Sequence, residues 1–297
     1  MNSTPSAPFG RLATAMITPF TSSGAVDHEA AWRLARHLSD QGTDALVVAG
    51  TTGESPTLSD DEKIALFVTV IEAVQEKDTL VVAGTGTNDT RHSVEMTGRA
   101  ADIGADGALA VTPYYNKPSQ AGQVAHFTAI ADVGLPVIVY NIPGRTAVKT
   151  EVETLAALAS HPNIAAVKDA ALDLELTAAT IKSAPSLPIY SGQDTFTLPM
   201  LAIGAVGVVS VVGHLAGPTI KAMINAAYEG DWNEARSLHN DLLPLCEACF
   251  LESNPAPVKA AMNAFWEPVG DVRLPLVSAS DDTVRAIEKA LGAIQGL

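Results

Sequence analysis

The chain has 297 residues, 47% of them hydrophobic, which is enough to bury one large core. Its 18 Lys and Arg residues against 33 Asp and Glu give a net charge of -15, which argues against nucleic acid and anionic membranes as partners. Residues 1–10 lack the basic start and apolar core of a signal peptide, and no apolar run reaches the length of a membrane span. We therefore expect a cytoplasmic globular protein.

Short apolar runs alternate with helical patterns along most of the chain. Many of these runs are continuous, which is typical of strands buried on both faces of a parallel sheet. The predicted strands are 12–18, 45–50, 80–85, 108–112, 136–141, 164–168, 188–192 and 207–212. Helices are predicted between them.

Several of these helices carry start signals. Residues 59–62 (SDDE) read as a capping box, in which the serine oxygen and the glutamate carboxylate accept from each other's backbone amides. Residues 150–153 (TEVE) repeat the pattern. Asp27 is the predicted cap of the first long helix, and Gly42 is its C-terminal glycine.

The count of elements decides the fold class. Eight strands with intervening helices, at roughly 20 to 35 residues per unit, predict an α/β fold of the (β/α)8 TIM-barrel type. A doubly wound open sheet is the competing interpretation, but residues 84–89 (GTGTND) lack the third glycine of a dinucleotide-binding turn. After Val212 only helical patterns follow, so we expect a barrel over 1–225 and a C-terminal helical region over 226–297, packed on the barrel.

Cys246 and Cys249 are the two cysteines of the chain. They fall inside a helical pattern rather than at a strand–helix junction, and no second Cys or His pair stands at metal-binding spacing. Reduced thiols in the core or in an interface fit this context better than a redox motif or a zinc site.

Polar side chains stand where the predicted strands end, and in such barrels that end carries the chemistry. They are Thr51 and Thr52 after the second strand, Tyr114 and Tyr115 after the fourth, Tyr140 and Arg145 at the fifth, and Lys168 at the end of the sixth. Taken singly, each has an ordinary explanation as a turn, a packed aromatic ring or a solvated cation. Their convergence at one end of one barrel indicates a shared site.

This set of side chains suits carbonyl chemistry. A lysine amine that loses its proton through desolvation condenses with a ketone to an iminium, which acts as an electron sink. A phenol can move protons, the Thr-Thr-Gly turn can hold one carboxylate, and Arg145 can grip a second as a fork. The combination predicts a keto-acid aldolase that needs no metal and no cofactor.

At these residues the sequence resembles the dihydrodipicolinate synthase and N-acetylneuraminate lyase family of class I aldolases. The likeness covers nearly the whole chain, through TAMITPF (14–20), GTTGES (50–55), TPYYNKP (112–118), YNIPGRT (140–146) and NPAPVKAA (254–261). The middle three segments are most similar to the dihydrodipicolinate synthase branch. VKDA (167–170) and VRLPL (272–276) resemble its actinobacterial form.

The resemblance implies a proton-transfer chain around a Schiff base. Lys168 would form that Schiff base with pyruvate. Tyr140 would move protons through Thr51 to Tyr115, which the family borrows from the neighbouring subunit. Members are commonly homotetramers built as dimers of dimers, so we expect Tyr115 to cross the dimer interface.

The resemblance also implies the substrate-binding groups. Thr52 would bind the pyruvate carboxylate, Arg145 would bind the carboxylate of aspartate semialdehyde, and Val209 would offer its backbone carbonyl near the substrate. The product would be 4-hydroxy-tetrahydrodipicolinate, on the route to diaminopimelate and lysine. One departure follows the lysine: Leu172-Asp173 replaces the Gly-Asp or Gly-Asn often found there, which can reshape this loop.

The family's lysine feedback site lies at the same dimer interface. Six positions bear on it: Ser55, Asn88 and Tyr114 match, whereas Asp60, Lys63 and His92 depart. His92 stands where a feedback-sensitive pattern has a glutamate for the ammonium of the ligand, so a charge-assisted bond is lost. We expect weak or absent inhibition by free lysine.

Two other functions stay open at this point. A related pyruvate-dependent aldolase would act on a sugar acid or another aldehyde, although Arg145 argues against this because sugar-acid relatives usually lack that grip. A barrel that binds a keto acid without turning it over would be a regulator, but all the catalytic residue types are present.

Overall fold

The computed structural model describes residues 6–295, in which eight parallel strands close into one barrel, as predicted. Each strand pairs with its neighbours in sequence, and the last pairs with the first. The strands are β1 (Leu12–Ala15), β2 (Ala45–Val48), β3 (Leu80–Gly84), β4 (Gly107–Val111), β5 (Val137–Asn141), β6 (Ile164–Asp169), β7 (Ile189–Ser191) and β8 (Gly207–Ser210). All eight fall on the predicted apolar runs.

Helices cover the outside of the barrel and continue beyond it. They are α1 (His28–Asp40), α2 (Asp60–Val74), α3 (Thr90–Asp102), α4 (Gln120–Ala131), α5 (Pro143–Thr146), α6 (Val152–Leu158), α7 (Leu174–Ser183), α8 (Thr197–Ala202), α9 (Gly213–Glu229), α10 (Trp232–Ala248), α11 (Ala256–Phe265) and α12 (Asp281–Gln295). Across residues 6–295, none of them has the length and apolar character needed to cross a membrane.

Alternation along the strands builds two packed layers. On β2, Ala45 and Val47 pack inside the barrel, whereas Leu46 and Val48 pack outward against the helices. Successive side chains of a strand point to opposite faces, so continuous apolar runs are required when both faces are covered. This requirement explains why the strand runs could be found in the sequence.

The C-terminal helices share a core with two barrel strands. Side chains of α9, α10 and α12 pack in one cluster with Leu12 of β1 and Val208 of β8. The predicted division at residue 225 falls inside α9 and stays a prediction.

The helix starts follow the predicted caps in two cases out of three. Ser59 and Glu62 form the capping box, and the Asp27 carboxylate caps α1 by accepting from the Ala30 amide. The capping box predicted at 150–153 was wrong. The hydroxyl of the buried Thr150 donates to Gln123 Oε1 at 2.7 Å instead, because α4 lies directly against this loop, and α6 begins only at Val152.

Cys246 and Cys249 are free thiols in the C-terminal core, which confirms their prediction as reduced core residues. Burial raises the pKa of both thiols, that of Cys249 to about 12. Since the thiolate is the reactive form, these side chains act as packed apolar groups.

Candidate active site

Strand register places the predicted lysine inside the barrel. Tyr140 of β5 pairs with Lys168 of β6, and Lys168 pairs with Tyr190 of β7. Paired residues of neighbouring parallel strands face the same side, and Tyr140 and Tyr190 both belong to the inner cluster. The Lys168 amine therefore lies within the barrel, 4.2 Å from the centroid of the Tyr140 ring.

The Lys168 side chain is buried, with only 4% of the residue exposed. Desolvation lowers the pKa of Lys168 to about 8, since burial penalises the charged ammonium. The Asp194 carboxylate opposes this shift, and the Arg145 guanidinium adds to it. A substantial fraction of the amine is thus neutral near physiological pH, which the strand end alone could not establish.

Tyr140 keeps its proton. Burial raises the pKa of its phenol to about 12, even though Arg145 and a hydrogen bond with Thr51 act in the opposite direction. A protonated phenol beside a neutral amine can donate to an oxygen that forms or leaves there. Thr51, on the loop after β2, lines the same cavity as Tyr140 and acts on its pKa, so these two predicted proton-transfer partners are neighbours.

Thr52 is buried in that same loop and is held by a residue to which the sequence reasoning gave no role. Asn254 Nδ2 donates to Thr52 Oγ1 at 3.0 Å, so the threonine hydroxyl keeps its own proton for another acceptor. The backbone carbonyl oxygen of Asn254 accepts from Arg145 Nη2 at 3.4 Å. Asn254 thus connects the two groups predicted to bind carboxylates. Its only signal was the NPAPVKAA segment of the resemblance.

Asp194 is the second residue that the sequence reasoning missed. It lies in the short turn after β7, and its carboxylate accepts from the Ser210 hydroxyl and from the Val211 amide at 3.0 Å. Burial raises its pKa, and the charge of Lys168 opposes that shift. A lone aspartate after a strand carries no distinguishing pattern, so only the fold reveals this neighbour of the amine.

A cavity of about 530 Å³ opens above these groups. Thr51, Tyr140, Arg145 and Tyr114 contribute to one part of its lining. The six positions considered for lysine feedback also line the cavity. One of them is Tyr114, already named, and the others are Ser55, Asp60, Lys63, Asn88 and His92. Lys168 and Thr52 do not line the cavity, but Lys168 lies beside Tyr140, and Thr52 follows Thr51 in the chain.

The GTG segment at the end of β3 forms part of the cavity wall through Gly84 and Gly86. A Cβ atom on Gly86 would lie 2.4 Å from the Val111 amide nitrogen, so this glycine is needed for close backbone approach to β4. The segment is a barrel loop, as the missing third glycine indicated, and the open-sheet interpretation was wrong.

Tyr115 is not brought into the site by its own chain. Its side chain is 91% exposed, and its backbone has a φ of 72°. Tyr114, not Tyr115, lines the cavity. Val209 by contrast is buried within the inner cluster that also holds Tyr140.

The loop after β6 explains the departure at Leu172. This residue has a φ of 57°, in the left-handed region that favours glycine, and it is 58% exposed. The Asp173 carboxylate accepts from the Leu176 amide and caps α7. The loop thus has a glycine-type backbone without a glycine. Among the described residues, no three His, Cys, Asp or Glu side chains converge as they would around a metal ion.

A closed (β/α)8 barrel with a buried, partly neutral lysine amine against a tyrosine is typical of class I aldolases. The chain belongs to the dihydrodipicolinate synthetase family, whose sequence profile matches residues 8–294. It is 53% identical over 291 residues to the 4-hydroxy-tetrahydrodipicolinate synthase of Synechococcus sp. (strain CC9605), covering 97% of this chain and 96% of that one.

Solved structures give the same result. DHDPS from Cyanidioschyzon merolae with lysine bound superimposes with a TM-score of 0.96 at 44% identity, covering 98% of this chain and 100% of that one. The chloride-inhibited dihydrodipicolinate synthase from Acinetobacter baumannii, complexed with pyruvate, superimposes with a TM-score of 0.93 at 36% identity. The match covers 97% of this chain and 100% of that one. The predicted likeness to the actinobacterial form has no support among these relatives.

The charges around Lys168 predict opposite effects of two substitutions. Asp194→Asn removes a negative charge and should lower the pKa of Lys168 below about 8, whereas Arg145→Met removes a positive charge and should raise it. Cyanate reacts with neutral amines, so the pH dependence of Lys168 carbamylation, followed by peptide mass spectrometry, reports this pKa.

The exposed Lys182 of α7 serves as the internal control, and its profile should be the same in all three proteins. Circular dichroism would establish that each variant is folded. Profiles of Lys168 that shift in the same direction in both variants, or not at all, would contradict the electrostatic account.

Proposed function

We propose that the protein condenses pyruvate with L-aspartate 4-semialdehyde to give 4-hydroxy-tetrahydrodipicolinate, in diaminopimelate and lysine biosynthesis. The observation that carries the proposal is the Lys168 amine, buried, with a pKa near 8, against the ring of Tyr140. The name of the Synechococcus relative and the pyruvate in the Acinetobacter structure support the same reaction. A cytoplasmic location is part of the proposal.

The reaction starts with the neutral amine. Lys168 attacks the ketone carbon of pyruvate, and the resulting carbinolamine loses water to give an iminium. Tyr140 supplies the proton that leaves with this water, which suits a phenol whose pKa is about 12. Loss of a proton from the methyl carbon then gives an enamine, with the iminium as the electron sink.

The new carbon–carbon bond forms between the enamine and the aldehyde carbon of the semialdehyde. The aldehyde oxygen takes up a proton from the Tyr140–Thr51 chain and becomes the hydroxyl of the product. The amine of the semialdehyde then attacks the iminium carbon, which closes the ring and releases Lys168. All carbon and nitrogen atoms of the two substrates are kept in the product, and the one water released leaves at the dehydration step. No oxidant or reductant is needed.

The carboxylates of the two substrates would be bound by different residues, one by Thr52 near the amine and one by Arg145 at the cavity. The Thr52 hydroxyl, which accepts from Asn254, donates to the pyruvate carboxylate near the amine. Arg145 is exposed at the cavity and binds the carboxylate of the semialdehyde as a fork. The backbone carbonyl of Val209 would complete the pyruvate side from β8.

Borohydride trapping tests the proposal. After incubation with pyruvate and reduction, the peptide that contains Lys168 should gain a 1-carboxyethyl group on the lysine nitrogen, and Lys168→Ala should show none. In a separate assay, the untreated protein supplied with pyruvate should turn over aspartate semialdehyde in preference to a sugar acid, since Arg145 is present. Folded protein without an adduct would contradict the enzyme assignment, and sugar-acid turnover would contradict the proposed substrate.

Tyr115 would complete the site of a partner subunit. Its ring is 91% exposed although large aromatic side chains are usually buried, and the chain holds it in the left-handed backbone conformation. We propose that it crosses a dimer interface to reach the Thr51 of the partner, within a homotetramer built as a dimer of dimers.

Subunit mixing checks this arrangement. Tyr115→Phe and Lys168→Ala should each be nearly inactive, but a mixed dimer contains one site with an intact lysine and an intact tyrosine. Co-refolding equal amounts should restore about a quarter of wild-type activity, because half of the dimers are mixed and half of their sites work. Mixtures that stay as inactive as the separate variants would mean that each chain uses its own Tyr115.

Inhibition by free lysine should be weak or absent. His92 Nε2 lies 2.8 Å from Asp60 Oδ2 in the cavity, so the acid there is paired with an imidazole. Lys63 lines the same space and is buried, which adds a cation where the ammonium of lysine would need an anion. Initial rates up to low millimolar lysine should be unchanged, and clear inhibition in that range would refute the expectation. His92→Glu is the matched variant, in which inhibition should increase.

A further inference from the structure

The turn that carries Thr51 and Thr52 has a strained backbone. Glu54 adopts a φ of 57° and Ala49 a φ of 51°, both in the left-handed region that non-glycine residues rarely adopt. Gly53 lies so close to Ala49 that a Cβ atom added to Gly53 would be 2.9 Å from the Cα of Ala49. Such a conformation persists only where the surroundings hold it, so the contacts of this turn matter for the two threonines.

The strongest of these contacts is a buried ion pair. Lys259 Nζ of α11 lies 2.8 Å from Glu54 Oε1, and both side chains are 1% exposed. Among the ion pairs of residues 6–295 it is the one buried at both ends. The second carboxylate oxygen accepts from the backbone amide of Arg273 at 2.8 Å.

Arg273 also binds the end of this loop at Thr57. Its guanidinium donates to the carbonyl of Thr57 at 2.6 Å and to that of Gly24 at 2.7 Å. The cations of Lys259 and Arg273 also lie over the ring of Phe20, at 3.9 and 4.3 Å from its centroid. The C-terminal segment thus holds the turn at Glu54 and at Thr57.

A buried ion pair contributes little to stability compared with an apolar pair of similar size, because both charges lose their hydration. Fixing one geometry is the better-attested use of such a pair. The direction of the contacts agrees with this role, since the Glu54 carboxylate points away from the cavity and toward α11, while Thr51 lines the cavity.

We propose that Lys259 and Arg273, acting through the Glu54 carboxylate, are positioning residues that set the conformation of the Thr51–Thr52 turn. The inference rests on the proposed function, because it gives these threonines their role toward pyruvate. It assigns the C-terminal region a part in pyruvate binding, although neither Lys259 nor Arg273 lines the active-site cavity.

The double variant Glu54→Gln with Lys259→Met tests this role, because it removes both charges and leaves no unpaired buried ion. It should remain folded, and its KM for pyruvate should rise by about tenfold or more as Thr52 leaves its place. The KM for aspartate semialdehyde should stay within about twofold, because Arg145 lies on a different loop. Arg273→Lys keeps the hydrogen bond from the backbone amide to Glu54 but loses the guanidinium bonds to the carbonyls of Thr57 and Gly24. We therefore expect a rise of about threefold in the pyruvate KM.

Lys221→Met is the matched control, since it breaks an ion pair with Asp44 just before β2, at the amino end of the strands. A purely structural role would lower the melting temperature in both cases and leave the pyruvate KM unchanged, and that result would overturn the proposal. If the double variant does not fold, the pyruvate KM of Arg273→Lys by itself tests the proposal, and an unchanged value would overturn it. Absent turnover by the wild-type protein would instead refute the proposed function, and this inference with it.

Discussion

The burial of one amine is the constraint on which the site depends. Lys168, the next-to-last residue of β6, faces the inside of the barrel, as do its register partners Tyr140 and Tyr190. Desolvation there lowers the pKa of the amine toward neutrality, which no exposed lysine at a strand end would show. The same burial raises the pKa of Tyr140, so one physical cause gives a partly neutral amine beside a protonated phenol.

The neighbouring charges refine this effect without cancelling it. Asp194 follows β7 and is held by the Ser210 hydroxyl and the amide of Val211, while Arg145 lines the cavity. A negative and a positive group on different loops leave the amine in a range where it can lose a proton and still be protonated again. Catalytic groups commonly show perturbed pKa values of this kind.

Strain and support are concentrated at the same end of the barrel. The non-glycine residues with left-handed backbones in the described chain all lie in loops that follow β2, β4, β5 and β6: Ala49, Glu54, Tyr115, Lys117, Ala147 and Leu172. The C-terminal segment holds the loop after β2, through Asn254 at Thr52 and through Lys259 and Arg273 at Glu54. The helices beyond the barrel therefore support the site as well as the core.

Much of the fold was readable from the sequence because its cause is local. Strands buried on both faces must be continuously apolar, and the Ser59 and Asp27 caps depend on residues within one turn. The cap predicted at 150–153 failed because Gln123, 27 residues earlier in the chain, binds the Thr150 hydroxyl. A tertiary contact overrides a local signal in that case.

The sequence by itself determined the barrel, the family and the residue types at the strand ends, since motifs and periodicity are properties of neighbouring residues. Only the tertiary structure decided which of them meet. The lowered pKa of Lys168, the neighbour Asp194, the Asn254 link and the Glu54–Lys259 pair depend on burial and on contacts across up to 205 residues of chain. Desolvation and distance arise only when the chain is folded, so no local pattern could reveal them.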